Sequence, residues 1–288
     1  MTTSAAVAAR TERESTQAAP FVKWAGGKGR LLSQLRPLLP RGIDRMRHVE
    51  PFVGGGAMFF SRQPPRALLT DINPALVDTY RAIREDVDRV IEALQELAAG
   101  HCKERYYQVR ERYNRRRSVA VPRRAAMFIY LNKTCFNGLH RVNRKGEFNV
   151  PYGSYKNPRI LNEDGLRMAS RVLRAAELQC ASFEALLEHA KPGDFIYFDP
   201  PYEPVSPTAS FTSYSQNGFS REDQKRLSEV YGALDRRGCK LMLSNSDVPF
   251  IRNLYRDFKL DVVAAPRAIN CNAGKRGKVT EIVVRNYA

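Results

Sequence analysis

The chain has 288 residues, of which 43% are hydrophobic, so it can bury the core of one large domain or of two modest ones. Its formal net charge of +17 makes an anionic polymer, most simply nucleic acid, the expected partner, although some basic proteins owe only their solubility to such a charge. No run of about 18 apolar residues, secretory signal or Cys-x-x-Cys pair is present, which predicts a cytoplasmic protein without a membrane span, disulfides or a metal site.

The amino-terminal segment predicts a tail followed by a glycine loop. Residues 1–19 are small, polar or charged and lack apolar periodicity, which is typical of a disordered tail. Gly26 and Gly27 precede Lys28 and a short apolar run, so we expect a loop that turns into a helix whose amino end suits an anionic group. The spacing differs from that of a Walker A loop.

Two short strands are predicted next, each followed by residues suited to a nucleoside. Residues 48–53 form a strand that runs into glycines 54–56, where the backbone is able to approach a ligand closely. Residues 67–71 form a second strand ending in Asp71, whose carboxylate is placed to accept ribose hydroxyls. Alternatively, Asp71 caps the helix that begins near Asn73, and the two roles are compatible.

A charged, helical pattern covers 75–121, a further helix is predicted at 125–131, and a turn-rich segment follows. From 133 to 159, six Lys or Arg residues stand against one acidic residue, Glu147. Glycine and asparagine turns within this stretch suggest a β-hairpin. Such cations neutralise phosphates, arginine forks onto a guanine edge, and an aromatic ring fills the space that a displaced base leaves, so this stretch is the predicted nucleic-acid surface.

The alternation of helices and strands then returns. The pattern predicts helices at 166–176 and 183–190, a helix opened by Ser220 with Asp223 in the capping-box position, and strands at 178–181, 194–198, 240–245 and 279–284. A polar loop covers 203–219, and a basic loop, 275–278, precedes the last strand.

The strand at 194–198 ends in the sequence Asp199-Pro200-Pro201-Tyr202. Two prolines stop the strand, because neither donates to a sheet ladder and each fixes its own φ. This could be an ordinary strand-ending turn. A carboxylate, a rigid turn and an aromatic ring at the carboxyl end of a buried strand are, however, placed where α/β sheets bind ligands.

Five motifs in order give the chain a resemblance to a known family. They are Lys23-Trp24-Ala25-Gly26-Gly27-Lys28, Glu50-Pro51-Phe52-Val53-Gly54-Gly55-Gly56, Asp71-Ile72-Asn73, the segment from Asn137 to Tyr155, and Asp199-Pro200-Pro201-Tyr202. The chain resembles the Dam family of DNA adenine-N6 methyltransferases, of the D12 class with the alpha-group order of motifs, from Phe21 to Tyr287.

The resemblance implies a Rossmann-like, seven-stranded methyltransferase sheet with an inserted, mostly helical DNA-recognition domain that carries a β-hairpin. The catalytic domain would comprise 20–73 and 162–288, and the recognition domain 74–161. The resemblance also implies S-adenosyl-L-methionine as the cofactor and double-stranded DNA as the substrate, with GATC as the commonest target sequence. The protein would be a monomer that is associated with the nucleoid and binds no metal.

The resemblance further implies roles for individual residues. The catalytic residues would be Asp199, Pro200, Pro201 and Tyr202. The cofactor would be bound by Trp24, Gly26, Gly27, Lys28, Glu50, Pro51, Phe52, Gly54, Gly56, Asp71, Ser182, Phe183 and Asp199. DNA would be bound by Lys23, Phe136, Asn137, Leu139, Arg141, Asn149, Pro151, Tyr155 and Lys275. Ser154 stands where some relatives carry arginine, which bears on the sequence preference.

The chemistry fits these assignments. Adenine N6 is a poor nucleophile, and acceptors at the Asp199 carboxylate and the Pro200 carbonyl stabilise the charge that develops as it attacks a sulfonium methyl. Tyr202 would stack on the base, which must leave the duplex because N6 is engaged in pairing. An RNA adenine methyltransferase, a DNA cytosine-N4 methyltransferase and a non-catalytic DNA-binding regulator remain alternatives. The cytosine-N4 enzymes tend towards Ser-Pro-Pro.

Overall fold

The structure is a computed structural model, and it describes residues 18–115, 119–205, 219–265 and 279–288. Residues 1–17 of the predicted tail, most of the polar loop at 203–219, and Lys275 with its basic loop lie outside the described residues.

The described strands form one seven-stranded sheet. The strands are β1 (His48–Glu50), β2 (Ala67–Asp71), β3 (Ala176–Cys180), β4 (Phe195–Phe198), β5 (Lys240–Ser246), β6 (Lys259–Ala265) and β7 (Val279–Arg285). Their order is β3-β2-β1-β4-β5-β7-β6. Neighbours from β2 to β5 are parallel, whereas β7 runs antiparallel between β5 and β6. The predicted α/β class and seven strands are confirmed.

Helices alternate with these strands along the chain. The α-helices are α1 (Leu32–Leu35), α2 (Ala57–Arg62), α3 (Pro74–Glu85), α4 (Val87–Ala99), α5 (Lys103–Asn114), α6 (Val121–Thr134), α7 (Glu163–Leu173), α8 (Leu186–His189), α9 (Arg221–Arg236) and α10 (Pro249–Leu254). Short 3-10 turns lie at Lys28–Arg30, Arg36–Leu38, Ile43–Arg45, Phe136–Gly138 and Phe183–Ala185.

Most predicted elements are present, with shifted ends. The helix expected at 166–176 ends at Leu173, because the chain enters β3 at Ala176. Helix α6 begins four residues before its predicted start, with Pro122 in its first turn, where a missing N–H breaks no helical bond. The capping box of α9 is confirmed, since the Ser220 and Asp223 side chains each accept from the other residue's backbone N–H. Strand β6 and helix α10 were not predicted.

The chain divides into two compact units. The first comprises Met1–Ala25, Gly54–Gln63 and Asn73–Leu178, and the second comprises Gly26–Val53, Pro64–Ile72 and Gln179–Ala288. In the first, α3, α4, α5 and α7 pack around or beside α6 and one another. In the second, apolar side chains of β1, β4 and β5 form a core with α9 and α10. The domain limits expected from the sequence stay a prediction.

Candidate functional site

Two neighbouring strands of the second unit end at the point where the strand order reverses. Strands β1 and β4 are parallel, with His48 opposite Phe195, so their carboxyl ends lie at the same edge of the sheet. All four residues of β4 are buried, which is typical of a parallel strand covered on both faces. Asp199 follows directly. It therefore lies at a topological switch point, where open α/β sheets bind ligands.

A buried cation faces the Asp199 carboxylate. Lys28, 4% exposed, places Nζ 2.7 Å from Asp199 Oδ1 and donates a hydrogen bond of 2.7 Å to the carbonyl of Gly26. Burial raises the pKa of Asp199 to about 6; Lys28 opposes this shift, and the carboxylates of Glu281 and Glu50 add to it. At pH 7 the carboxyl group is therefore mostly ionised and able to accept hydrogen bonds.

The Tyr202 ring lies beside the same ammonium group. Lys28 Nζ stands 4.4 Å from the ring centroid, and the Tyr202 hydroxyl donates a 2.7 Å hydrogen bond to Glu281 Oε2 on β7. Burial, with Asp199 and other neighbouring groups, raises the pKa of Tyr202, so the hydroxyl stays protonated. Glu281 was not predicted from the sequence, because it lies 79 positions from Tyr202 in the chain.

Two buried amides hold the backbone that follows the prolines. Gln224 Nε2 donates to the Pro201 carbonyl at 3.0 Å, and Asn245 Oδ1 accepts from the Glu203 N–H at 3.1 Å. Asn245 Nδ2 also donates to Gln224 Oε1, so the two amides fix each other. Both are fully buried. Sequence analysis missed them too, although a polar residue late in a hydrophobic strand was a usable signal for Asn245.

The remaining cofactor candidates of the second unit fall into small groups. Phe52, which follows Pro51, stacks on Phe183 at 5.6 Å between ring centroids. Glu50 is buried, with Oε1 2.6 Å from His48 Nε2. The carbonyl of Asp71 accepts a 3.2 Å hydrogen bond from Ala181 N–H, next to Ser182, whose hydroxyl contacts Glu184. Gly26 and Gly27 lie just before the 3-10 turn that contains Lys28.

Helix α3 is capped by Asn73 and not by Asp71. Asn73 Oδ1 accepts from the N–H groups of Ala75 and Leu76 at 3.1 and 3.2 Å. The alternative role of Asp71 as the cap is therefore wrong, because the cap position falls two residues later. The other predicted role of Asp71, accepting hydrogen bonds from ribose hydroxyls, stays a prediction.

In the first unit, the glycines near Trp24 have a packing reason. At Gly54, where φ is +47°, a Cβ would lie 2.6 Å from Trp24 Cδ1. At Gly56, where φ is +69°, it would lie 2.8 Å from Tyr80 Oη. Only glycine fits both positions without displacing a neighbour. The predicted cofactor contacts of Gly54, Gly56 and Trp24 stay predictions.

Lys23 is fixed in the first unit by a buried amide. Asn132 accepts from Lys23 N–H at 2.7 Å, donates to its carbonyl at 2.8 Å, and donates to the Gly138 carbonyl at 3.1 Å. The Lys23 ammonium then lies 4.3 Å from the Tyr155 ring centroid. Two of the predicted DNA-binding side chains, Lys23 and Tyr155, are thus brought together.

Residues 136–155, the recognition segment, present the other DNA candidates. Phe136 is 51% exposed, and exposed Asn137 adopts φ +54°, a left-handed conformation that asparagine tolerates. Arg141 Nε donates to Asn149 Oδ1 at 2.8 Å. One single antiparallel bridge, Val142 with Phe148, lies within the segment, and a second joins Tyr152 to Cys135, the residue just before it. Leu139 is half-buried, whereas Pro151 and Ser154 are exposed.

A basic pocket adjoins Tyr155 in the first unit. Its volume is about 480 Å³, and it is lined by Lys23, Lys133, Tyr155, Lys156, Asn157, Pro158, Arg159 and Asn162. The lining includes four cations and no carboxylate. Burial and the charges of Lys23 and Arg159 lower the pKa of Lys133 to about 8. Such a pocket suits an anionic group.

The described part of the chain lacks two kinds of feature. None of its helices is long and apolar enough to cross a membrane. No group of three or more His, Cys, Asp or Glu side chains there is arranged to hold a metal ion.

Comparisons with known proteins agree with the site. A family model described as D12 class N6 adenine-specific DNA methyltransferase matches residues 24–269. Type II methyltransferase M.MjaIII of Methanocaldococcus jannaschii is 44% identical over 285 residues, covering 93% of this chain and 99% of that protein. DNA adenine methylase of Escherichia coli K12 is 39% identical over 265 residues, covering 91% and 93%. The chain therefore belongs to the D12 class of N6 adenine-specific DNA methyltransferases and is an adenine-specific DNA methyltransferase.

Proposed function

We propose that the protein transfers a methyl group from S-adenosyl-L-methionine to N6 of an adenine flipped out of double-stranded DNA, within the sequence GATC. One observation carries the proposal. Asp199 ends a buried strand at the switch point of the sheet, beside the buried ammonium group of Lys28 and three residues before Tyr202. A carboxylate acceptor and an aromatic ring for a displaced base suit methyl transfer to an exocyclic amino group.

The acceptors at this turn account for the rate of transfer. The N6 lone pair of adenine is delocalised into the ring, so the nitrogen attacks only as it becomes pyramidal. Hydrogen bonds from its two N–H groups to the Asp199 carboxylate and the Pro200 carbonyl stabilise the charge that develops on this nitrogen. The Tyr202 ring stacks on the base, and Glu281 fixes the ring through the tyrosine hydroxyl.

The residues of the second unit fit the proposed cofactor. S-adenosyl-L-methionine supplies an already activated methyl group on a sulfonium cation, so the protein has to bind and orient it. A positively charged sulfur and a ribose diol suit a site with carboxylates. Asp71 is the last residue of β2 and Asp199 directly follows β4, and the two strands are parallel, so both carboxylates lie at one edge of the sheet. The Oδ1 atom of Asp199 is buried, and the Lys28 ammonium lies 2.7 Å from it. The angles of this contact are not those of a hydrogen bond, and no other described residue donates to Oδ1. Phe52 and Phe183 add an apolar surface.

Replacing Asp71 by alanine is expected to weaken cofactor binding. The ribose hydroxyls would lose a charged acceptor, a contact worth roughly 1.5–3 kcal/mol. Isothermal titration calorimetry with S-adenosyl-L-methionine measures the change. Asp78→Ala is the control, because Asp78 is an exposed carboxylate on α3 that pairs with Arg81. Equal affinities for the wild-type protein and Asp71→Ala would remove Asp71 from the site.

The pH dependence of kcat/KM should follow the Asp199 carboxylate. Since this carboxyl group has its pKa raised to about 6 and must be ionised to accept from N6, kcat/KM should rise with pH through about 6 and level off above. Lys28→Gln removes a cation and should move this limb to higher pH. Glu281→Gln removes an anion and should move it lower. If the pH at which kcat/KM rises is the same in both variants and in the wild-type protein, the rise reports the ionisation of a group other than Asp199.

The first unit supplies the proposed DNA contacts. Phe136 is exposed enough to fill the gap that the flipped base leaves, and Asn137 would meet the unpaired thymine. Arg141 and Leu139 would contact base edges, and the cations around the basic pocket would neutralise phosphates. We further propose that the protein acts as a monomer on the DNA of the nucleoid, in the cytoplasm.

Transfer of a labelled methyl group tests this function. Purified protein is incubated with S-adenosyl-L-methionine carrying a tritiated methyl group and, in parallel, with duplex DNA or folded RNA; the modified nucleosides are then separated. N6-methyladenine in duplex DNA alone is expected. N4-methylcytosine or labelled RNA would favour a relative with another substrate, and DNA binding without label would favour a non-catalytic regulator.

A further inference from the structure

His140 lies inside the recognition segment, between Leu139 and Arg141, but it points into the first unit. Its ring stacks on Trp24, with 5.4 Å between centroids and 23° between planes. Phe128 and Phe148 pack around it at 5.5 and 5.8 Å. A single side chain of the recognition segment therefore rests on a residue proposed to bind the cofactor.

A hydrogen bond to Asn73 defines the protonation of His140. Asn73 Oδ1 accepts from the backbone of α3, so the atom that faces His140 Nδ1, at 3.3 Å, is the amide nitrogen Nδ2. Because Nδ2 only donates, Nδ1 accepts and the ring proton resides on Nε2. Burial lowers the pKa of His140 to about 4. The ring is thus neutral at pH 7 and does not serve as a cation for phosphate.

These contacts join the recognition segment to two motifs. Trp24 belongs to the motif at residues 23–28, and Asn73 belongs to the motif Asp71-Ile72-Asn73. We propose that His140 is a positioning residue that couples cofactor binding at Trp24 to base recognition by Leu139 and Arg141. This inference rests on the proposed function and deepens it, because it explains how an occupied cofactor site favours the cognate sequence.

The coupling has a physical basis, because His140 cannot change its position without disturbing its contacts with Trp24 and Asn73. A shift of residues 139–141 on binding DNA moves the ring against Trp24 and against the amide of Asn73. Conversely, a cofactor that orders Trp24 restricts the positions open to His140 and so to its neighbours in the chain. The coupling is reciprocal by thermodynamic linkage, so cognate DNA should tighten the cofactor site by the same factor by which the cofactor tightens DNA binding.

Trp24 is the only tryptophan of the chain, so its fluorescence reports on this stack directly. The dissociation constant of S-adenosylhomocysteine, the non-reactive product, is measured by Trp24 emission, alone and with a saturating GATC duplex or a duplex lacking GATC. For the wild-type protein we expect the GATC duplex to tighten binding by about fivefold or more, which is the lower end of usual couplings. The other duplex should have a smaller effect.

In His140→Ala this tightening should fall below about twofold. His140→Leu is the second variant, for use if His140→Ala does not fold. Leucine keeps most of the side-chain volume but neither stacks as an aromatic ring nor accepts from Asn73, so the same loss of tightening is expected. His101→Ala is the matched control, since His101 also packs on aromatic rings and bonds through Nδ1 to Tyr130 in the first unit. Its ring contacts among the described residues are with Tyr130 and Tyr152, and not with Trp24. It should retain the wild-type coupling.

The outcomes separate the two proposals. Wild-type coupling in His140→Ala or His140→Leu, or an equal loss in His101→Ala, overturns the role of His140 while methyl transfer stands. A wild-type protein that methylates DNA but shows no coupling overturns it as well. A wild-type protein that neither binds S-adenosylhomocysteine nor methylates DNA overturns the proposed function itself.

Discussion

Replacing Asp199 by alanine is expected to reduce methyl transfer by about 10²–10³-fold or more, the cost of removing one acceptor from a site where charge develops. The variant loses the carboxylate that accepts from N6 and leaves Lys28 without its partner at 2.7 Å. Stability should therefore fall too, because an unpaired buried charge is costly. Affinity for duplex DNA should change little, since Asp199 is proposed to contact only the flipped adenine and most of the proposed DNA contacts are made by residues of the first unit.

A second aspartate, next to the other end of the same strand, controls for the loss of stability. Asp194 precedes β4 at its opposite end and accepts from the Arg47 guanidinium at 2.6 and 3.1 Å. Asp194→Ala likewise leaves a cation unpaired, but the folded variant should keep its turnover. Labelled-methyl turnover, DNA affinity by fluorescence anisotropy and Tm are measured for both variants. Substantial turnover in Asp199→Ala would show that the acceptor carboxylate lies elsewhere.

Replacing Arg141 by alanine should collapse discrimination at one base pair. The planar guanidinium is able to donate to O6 and N7 of a guanine, and Asn149 orients it in the free protein. Its loss should cost roughly 1–3 kcal/mol on the cognate site and much less on sites substituted at that base pair. kcat/KM on GATC and on its single-base variants, at two salt concentrations, gives the comparison.

Two other cations serve as controls for Arg141. Arg144 is exposed in the same recognition segment. Lys275 belongs to the basic loop before the last strand and was predicted from the sequence to bind DNA, where its point charge suits a phosphate. Arg144→Ala and Lys275→Ala should each weaken all duplexes alike, and a phosphate contact should lower the salt slope by about one unit. If Arg141→Ala also lowers every duplex equally, Arg141 is a phosphate contact and other residues of the recognition segment determine the sequence.

Local sequence patterns predicted the elements that carry the proposed catalytic turn. Strand β4 and the turn that ends it followed from a buried apolar run stopped by two prolines, and β2 was predicted with both ends correct. The capping box of α9 followed from two residues three apart. Each of these signals depends on neighbours in the chain, which is why sequence alone sufficed.

Contacts between distant residues were beyond such patterns. Glu281 bonds Tyr202 across 79 positions, and Gln224 bonds the Pro201 carbonyl across 23. The stack of His140 on Trp24 depends on how the first unit packs. From the sequence, the glycine at position 54 was explained only by the close approach of a ligand to the backbone. The structure adds a second reason, because a side chain there would collide with the Trp24 ring.

The central claim is that this chain methylates adenine N6 at one short DNA sequence. It is tested most directly by exposing unmethylated genomic DNA to the purified protein and S-adenosyl-L-methionine and sequencing it with a method that detects methylated bases. The account predicts N6-methyladenine at GATC on both strands and at no other adenine to a comparable extent. Methylated cytosine, unmodified DNA, or methylated adenine without a common sequence would contradict it.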